Sequence, residues 1–208
     1  MKLSLILLAL FSGALHAKVE IDSFKKHSWN NEWNEAISLE LDQKENSNML
    51  SENLDHADLM ELGCPGFNKT DDLEAKKDFW IVFFSGLTRA ESAFNPLARS
   101  KAPKGGHGNY GLVQLSKRTG REQCGLTPEE IADPAAHLRC AVKLMSWQIK
   151  GAPAPSGKLL RRDLKGQLFG KRILLWGPLR QNDKRGRALL TGWFKRHLEQ
   201  MPFCKAVD

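Results

Sequence analysis

Between Asp71 and Ser92 the chain carries Phe79, Phe83, Leu87 and Glu91 at steps of four, with Trp80 and Phe84 widening the same face. Residues four apart stack on one side of an α-helix, so the spacing predicts a helix over 71–92. Its bulky apolar side demands a place at the centre of a core. Asp71 gives that helix an acidic first turn, and Asn95-Pro96 ends it, since a residue before proline is pushed out of helical geometry. Any fold this chain adopts has to be built around that rod.

The rest of the pattern is also helical. No Gly or Pro interrupts the stretch from Lys18 to Glu61, and Trp29, Trp33, Ile37 and Leu41 form a second stripe. Gly63-Cys64-Pro65-Gly66 punctuates the chain strongly and marks a boundary. Residues 97–110 read as a loop or short hairpin. Thr127 caps one helix and Asp133-Pro134 begins another that extends to about Lys150. Gly151 to Gly157 is a connector, and two further helices are expected over 168–176 and 187–200. Strands are scarce, so the fold class is mostly α. With 208 residues there is room for one domain plus a helical appendage. The expected division is a leader over 1–17, an acidic helical extension over 18–62, and a main domain over 63–208.

Charge divides at the same place. Residues 18–63 hold 4 Lys and Arg against 11 Asp and Glu, or −7, whereas residues 64–208 hold 26 against 13, or +13. Hydrophobic residues at 41% and charged residues at 26% exclude a disordered tail, a polytopic membrane protein and a low-complexity array. The front piece, opposite in sign, is a candidate cover for a basic cleft.

Lys2, the apolar run Leu3 to Phe11 and the small residues ending at Ala14 or Ala17 read as an export signal. The run is shorter than the roughly 18 to 20 apolar residues of a membrane span, so no stable membrane insertion is expected. Four cysteines in an exported chain suggest two disulfides, with three pairings open. The favoured pairing is Cys124–Cys140, stapling a local loop, with Cys64–Cys204 joining the two ends of the basic body. No C-x-x-C or H-x-x-H spacing is present, so no metal and no cofactor is expected.

Glu91 is the anomaly on the core helix. A carboxyl on an apolar stripe is desolvated, and at the C-terminal end of a helix it faces the negative end of the dipole. Both effects favour the protonated form, which is what a general acid requires. Its surroundings are specific. Glu91-Ser92-Ala93-Phe94-Asn95-Pro96-Leu97-Ala98-Arg99-Ser100, followed by Gly111-Leu112-Val113-Gln114-Leu115, resembles the signature of the lysozyme-like lytic transglycosylases, E-S-x-F-N-P-x-A-x-S and then G-L-M-Q-L. The similarity covers about residues 70–180. It implies a lysozyme-like helical domain with a short loop or β-hairpin beside a cleft for a bacterial cell-wall glycan. It also implies Glu91 as the catalytic acid and base, with Ser100 and Gln114 as substrate-binding residues. Gly111 is expected to let the backbone approach the sugar, and Tyr110 to form a stacking or hydrogen-bonding wall. The late family element Tyr-Asn-Ala-Gly-Pro has only an echo in Trp176-Gly177-Pro178. Trp176 is a candidate for the missing tyrosine's place, though a core tryptophan is the favoured reading. The loop after Ser100 is longer than the family's and carries Lys101, Lys104 and His107, and Ser116 and His137-Leu138 replace its usual Met and Asn-Ile.

A two-carboxylate glycosidase needs a second acid about 5 to 9.5 Å from the first. No Asp or Glu occurs between Ser92 and Arg121, and Glu122, Glu129, Glu130 and Asp133 lie at expected helix starts. This favours one-carboxylate chemistry, and the resemblance implies a lytic transglycosylase acting at the MurNAc–GlcNAc β-1,4 bond and yielding 1,6-anhydro-muropeptides. A hydrolytic lysozyme, adapted to de-N-acetylated wall or not, and a non-catalytic wall-binding protein are the alternatives. The basic clusters Arg161-Arg162, Lys171-Arg172 and Lys184-Arg185-Gly186-Arg187 carry no nucleic-acid fold signature, and peptidoglycan carboxylates account for them equally. The expected partner is therefore a peptidoglycan strand met by a monomer in the periplasm or outside the cell, and not nucleic acid.

Overall fold

The computed structural model describes residues 19–23, 27–101, 108–151, 164–173 and 175–205. The expected leader over 1–17, the loop residues Lys104 and His107, and the pair Arg161-Arg162 lie outside them. Seven helices are present among the described residues: α1 (Asn31–Leu41), α2 (Asn48–Ser51), α3 (His56–Leu62), α4 (Leu73–Ser92), α5 (Lys117–Cys124), α6 (Pro134–Lys150) and α7 (Lys184–Arg196). One hairpin, β1 (Asn109–Tyr110) with β2 (Leu115–Ser116), is antiparallel and pairs Tyr110 with Leu115.

The rod at the centre is α4. Asp72 caps it by accepting from the N–H groups of Glu74 and Ala75. From Phe79 to Thr88 every residue is buried, so the helix is enclosed on all sides rather than along one stripe. Helix α7 packs along it at a narrow point. Gly86 lets the Leu190 carbonyl and the Trp193 ring approach, and Trp193 Nε1 donates to Ser85 Oγ at 2.9 Å. Helix α1 lies between α4 and α6 with Trp33, Ile37 and Leu41 turned inward. Trp29 precedes the capping residue Asn30, so it is not on the helical stripe. It reaches the same core edge-on, 5.1 Å from Trp33 and 5.5 Å from Phe94.

The front piece and the basic body share one continuous core, in which Trp33, Leu59 and Leu62 belong with Phe83 and Phe194. Gly63 ends α3 as a left-handed cap, φ 79°, and is not a linker between packing units. The charges of the front piece meet the body along its flanks, as Asp42–Lys77, Glu40–Lys143, Glu52–Lys165 and Glu61–Arg187. Two disulfides close the body, Cys64–Cys204 and Cys124–Cys140. The first is seated where Gly66 meets the C-terminal segment, so closely that a Cβ on Gly66 would overlap the Phe203 carbonyl oxygen.

Three expectations change. The described residues of 168–176 form no helix: Leu168 and Phe169 donate their N–H groups to the buried Asp58 Oδ2, at 2.7 and 3.1 Å. Gly170 donates to Leu179 O and accepts from Gln181, so these backbone groups are engaged outside any helical ladder. Thr127 and Glu130 do form a reciprocal cap, but only one turn follows, Glu130–Ala132, before Asp133 starts α6. Helix α5 was not anticipated, because its sequence is almost wholly polar; Ser116 and Gly125 cap its two ends.

Candidate active site

Glu91 occupies the last turn of α4, and the chain turns sharply beyond it. Ala93 and Phe94 both take positive φ, 53° and 64°. Such a conformation costs about 1–3 kcal/mol per non-glycine residue and persists only where packing over-determines it. Here the Phe94 ring is fully buried, with Trp29 and Trp193 each 5.5 Å away. The turn therefore ends the helix two residues before Asn95-Pro96 and brings the following segment back over Glu91.

That return builds a cavity of about 470 Å³ lined by Glu91, Ser100 and Gln114, with Arg89, Arg99 and Arg185 around them. Ser100 pairs with Asn109 at both backbone and side chain: its N–H donates to Asn109 O at 3.0 Å, and its Oγ accepts from Asn109 N at 2.9 Å. The Ser100 O–H is left as a donor on the cavity rim. Gln114, at φ 49°, donates through Nε2 to Ala98 O at 3.2 Å and Gly111 O at 2.9 Å. It thus ties the two loops together as well as lining the cavity.

Burial drives the Glu91 carboxyl up to about 7, and the nearby Asp183 carboxylate pushes in the same direction. A hydrogen bond from the Gly177 N–H and the charge of Arg180 oppose them. A group balanced this way gives up or takes a proton near neutral pH, the property a general acid and base needs.

Two hollows adjoin the cavity. One of about 230 Å³ shares Ala98 and Arg99 with it and is walled by Tyr110. The other, about 200 Å³, shares Gln114 and reaches Trp176 and Arg180. Together they make an elongated trough with Glu91 near its middle. A larger hollow of about 560 Å³, around Lys171, Arg180 and Asn182, does not include Glu91.

Tyr110 thus stands beside the Glu91 cavity and not in it, and its ring carries Arg99 at 5.5 Å and Lys117 at 5.3 Å. Gly111 is buried at φ 72°, and a Cβ there would lie 2.5 Å from the His137 ring. That internal contact accounts for its lack of a side chain, and the residue also lines the hollow beside Tyr110. Trp176 is 4% exposed and donates through Nε1 to Val113 O at 2.8 Å. It is a core residue that holds the Gly111–Gln114 turn from behind and contributes to the wall of the smaller hollow. The acidic front piece contributes no residue to the lining of the cavity.

Sequence reasoning missed Gly177 and Asp183. The echo Trp176-Gly177-Pro178 contained the signal for the first, since its Gly N–H meets Glu91. Asp183 had only the look of a helix cap before Lys184. The cluster Lys184-Arg185-Gly186-Arg187 is divided by the fold: Arg185 lines the cavity, while Arg187 pairs with Glu61 and lies 4.1 Å from the centre of the Phe169 ring.

A buried carboxyl at the end of a central helix thus stands in a cavity that it shares with Ser100 and Gln114. Residues 71–161 match the model of the transglycosylase SLT domain family. The match supports peptidoglycan lytic transglycosylase or lysozyme-like activity in general; proteins of that family act on peptidoglycan outside the cytoplasm, a setting that the two disulfides fit. Among solved structures, the wild type of Bd0314 DslA and two of its glutamate-to-glutamine mutants share the fold, with TM-scores of 0.59 to 0.61 at 22% identity. Each match covers 84% of this chain and 91% of that one. No curated protein matches the chain significantly. Among the described residues no helix is long and apolar enough to cross a membrane.

Proposed function

We propose that the protein cleaves the β-1,4 bond between MurNAc and GlcNAc as a lytic transglycosylase, with Glu91 as its single proton donor and acceptor. The carrying observation is the Glu91 carboxyl itself, sheltered in the trough and raised to about 7. In the first step Glu91 gives its proton to the glycosidic oxygen and the bond from the MurNAc anomeric carbon to that oxygen breaks. The substrate's acetamido group can stabilise the cationic carbon that results. In the second step the Glu91 carboxylate takes the proton of the MurNAc 6-hydroxyl while its oxygen bonds to the anomeric carbon, closing a 1,6-anhydro ring. Ser100 and Gln114 bind the sugar at this subsite, a reading supported by their lining the same cavity as Glu91. Arg89, Arg99 and Arg185 suit the lactyl and peptide carboxylates that the glycan carries. Tyr110 extends the binding surface into the next hollow.

Mass spectrometry of digested sacculi tests this reading. Anhydro-muropeptides are expected as the main products. Reducing ends alone would replace the transglycosylase with a hydrolytic lysozyme, and an absence of any released muropeptide would leave a wall-binding protein. Running the digestion on de-N-acetylated sacculi in parallel measures how far the acetamido group is needed. Because Glu91 must hold its proton to act as an acid, kcat/KM is expected to fall as pH rises through about 7, approaching tenfold per pH unit beyond it.

A further inference from the structure

Asp183 caps α7, accepting from the Gly186 N–H at 2.9 Å through Oδ1. A helix N-terminus favours a negative charge at that point. The other oxygen, Oδ2, turns towards Gly177. A Cβ on Gly177 would stand 2.8 Å from Asp183 Oδ2 and 3.8 Å from Glu91 Oε1. The two carboxylates therefore flank one glycine, and its missing side chain permits their approach. The N–H of the same glycine donates to Glu91. Asp183 does not line the cavity around Glu91, so it acts through Glu91 and not on the sugar.

We propose that Asp183 is a positioning residue for the reaction, a fixed anion set beside Glu91 across Gly177 that makes Glu91 the carboxyl that carries the proton. The inference rests on the reading of Glu91 as the catalytic acid. Two adjacent carboxylates resist carrying two negative charges at once. Of the two, Glu91 is the one whose burial favours the proton. Once Glu91 has donated, it becomes the second negative charge of the pair, which strengthens it as the base that the ring-closing step requires. The charged groups around Glu91 are Asp183 and Arg180 beyond Gly177, Arg185 on α7, Arg89 on its own helix and Arg99 on the returning loop.

The test is the pH profile of kcat/KM for wall cleavage in Asp183→Asn and Asp183→Ser, with Asp133→Asn at the cap of α6 as control. Asn and Ser both cap helices, so the fold is retained. The alkaline limb is expected to move to lower pH by about half to one unit, an about threefold to tenfold loss above the limb, while the acid plateau stays within about twofold. The control leaves the limb in place. An unmoved limb in the two Asp183 variants overturns the proposal. Failure of both to fold overturns it too, because Asp183 would then serve the structure alone. An active Glu91→Gln would instead overturn the assignment of the acid, whereas an inactive one with an unmoved Asp183→Asn limb defeats only the present inference.

Discussion

Glu91→Gln is expected to fold like the parent and to lose about 10²- to 10⁴-fold of its rate of wall cleavage. Gln has the shape of Glu and presents an oxygen to the Gly177 N–H, so the turn beyond α4 keeps its packing. What disappears is the proton that titrates near neutrality, raised there by burial and by Asp183. The substitution also removes the cost of burying an ionisable group next to a like charge, so the melting temperature should stay level or rise. Muropeptide release and a thermal melt on the same preparation check both halves. Residual activity within severalfold of the parent would count against Glu91 as the acid, and an inactive variant with a collapsed melting temperature would not support it.

The second large effect concerns stability. Removing the Cys64–Cys204 bridge by Cys64→Ala with Cys204→Ala should cost about 2–5 kcal/mol, because the bond closes a loop across a sequence separation of 140 residues. For a chain of this size that corresponds to a fall in Tm of about 5 to 20 °C. The bond also lies against the contact between Gly66 and Phe203, where the C-terminal segment seats, so the loss extends to the packing of 202–204. A Tm within about 2 °C of the parent would show that packing alone holds the two ends. Losing Cys124–Cys140, with a separation of 16, should cost less, about 3 kcal/mol at most, because a short loop restricts the unfolded chain less.

Helix α4 was legible because its cues are local, although its cap is Asp72 and Asp71 lies outside its first turn. An Asp before the first turn and bulky residues at steps of four act within a few residues of chain. Helix α6 was legible for the same reason through Asp133-Pro134 and Gly151. The segment 168–176 misled because Leu168, Phe169, Ile173 and Trp176 are spaced as a helix would space them and are indeed buried. Its backbone, however, is claimed by Asp58 and by the strand-like pairing of Gly170 with Arg180. At Gly63 the local signal carried less information. Glycine marks the end of a helix there, and whether packing stops at that point depends on where α1 and α3 dock.

At the site, Glu91, Ser100 and Gln114 could be named from a run of chain between 91 and 114, and the fold does bring them around one cavity. The glycine at 111 was legible as a special position, but its reason, the His137 ring, comes from α6. The sequence by itself determined the central helix, the buried carboxyl at its end and the residue types of the loops that follow. Tertiary structure alone decided that Trp176 belongs to the core, that Arg185 reaches the cavity while Arg187 does not, and that Asp183 stands beside Glu91. Local cues reflect backbone geometry and solvation over a turn or two, whereas the charge felt by a buried carboxyl depends on distances in space between residues far apart along the chain.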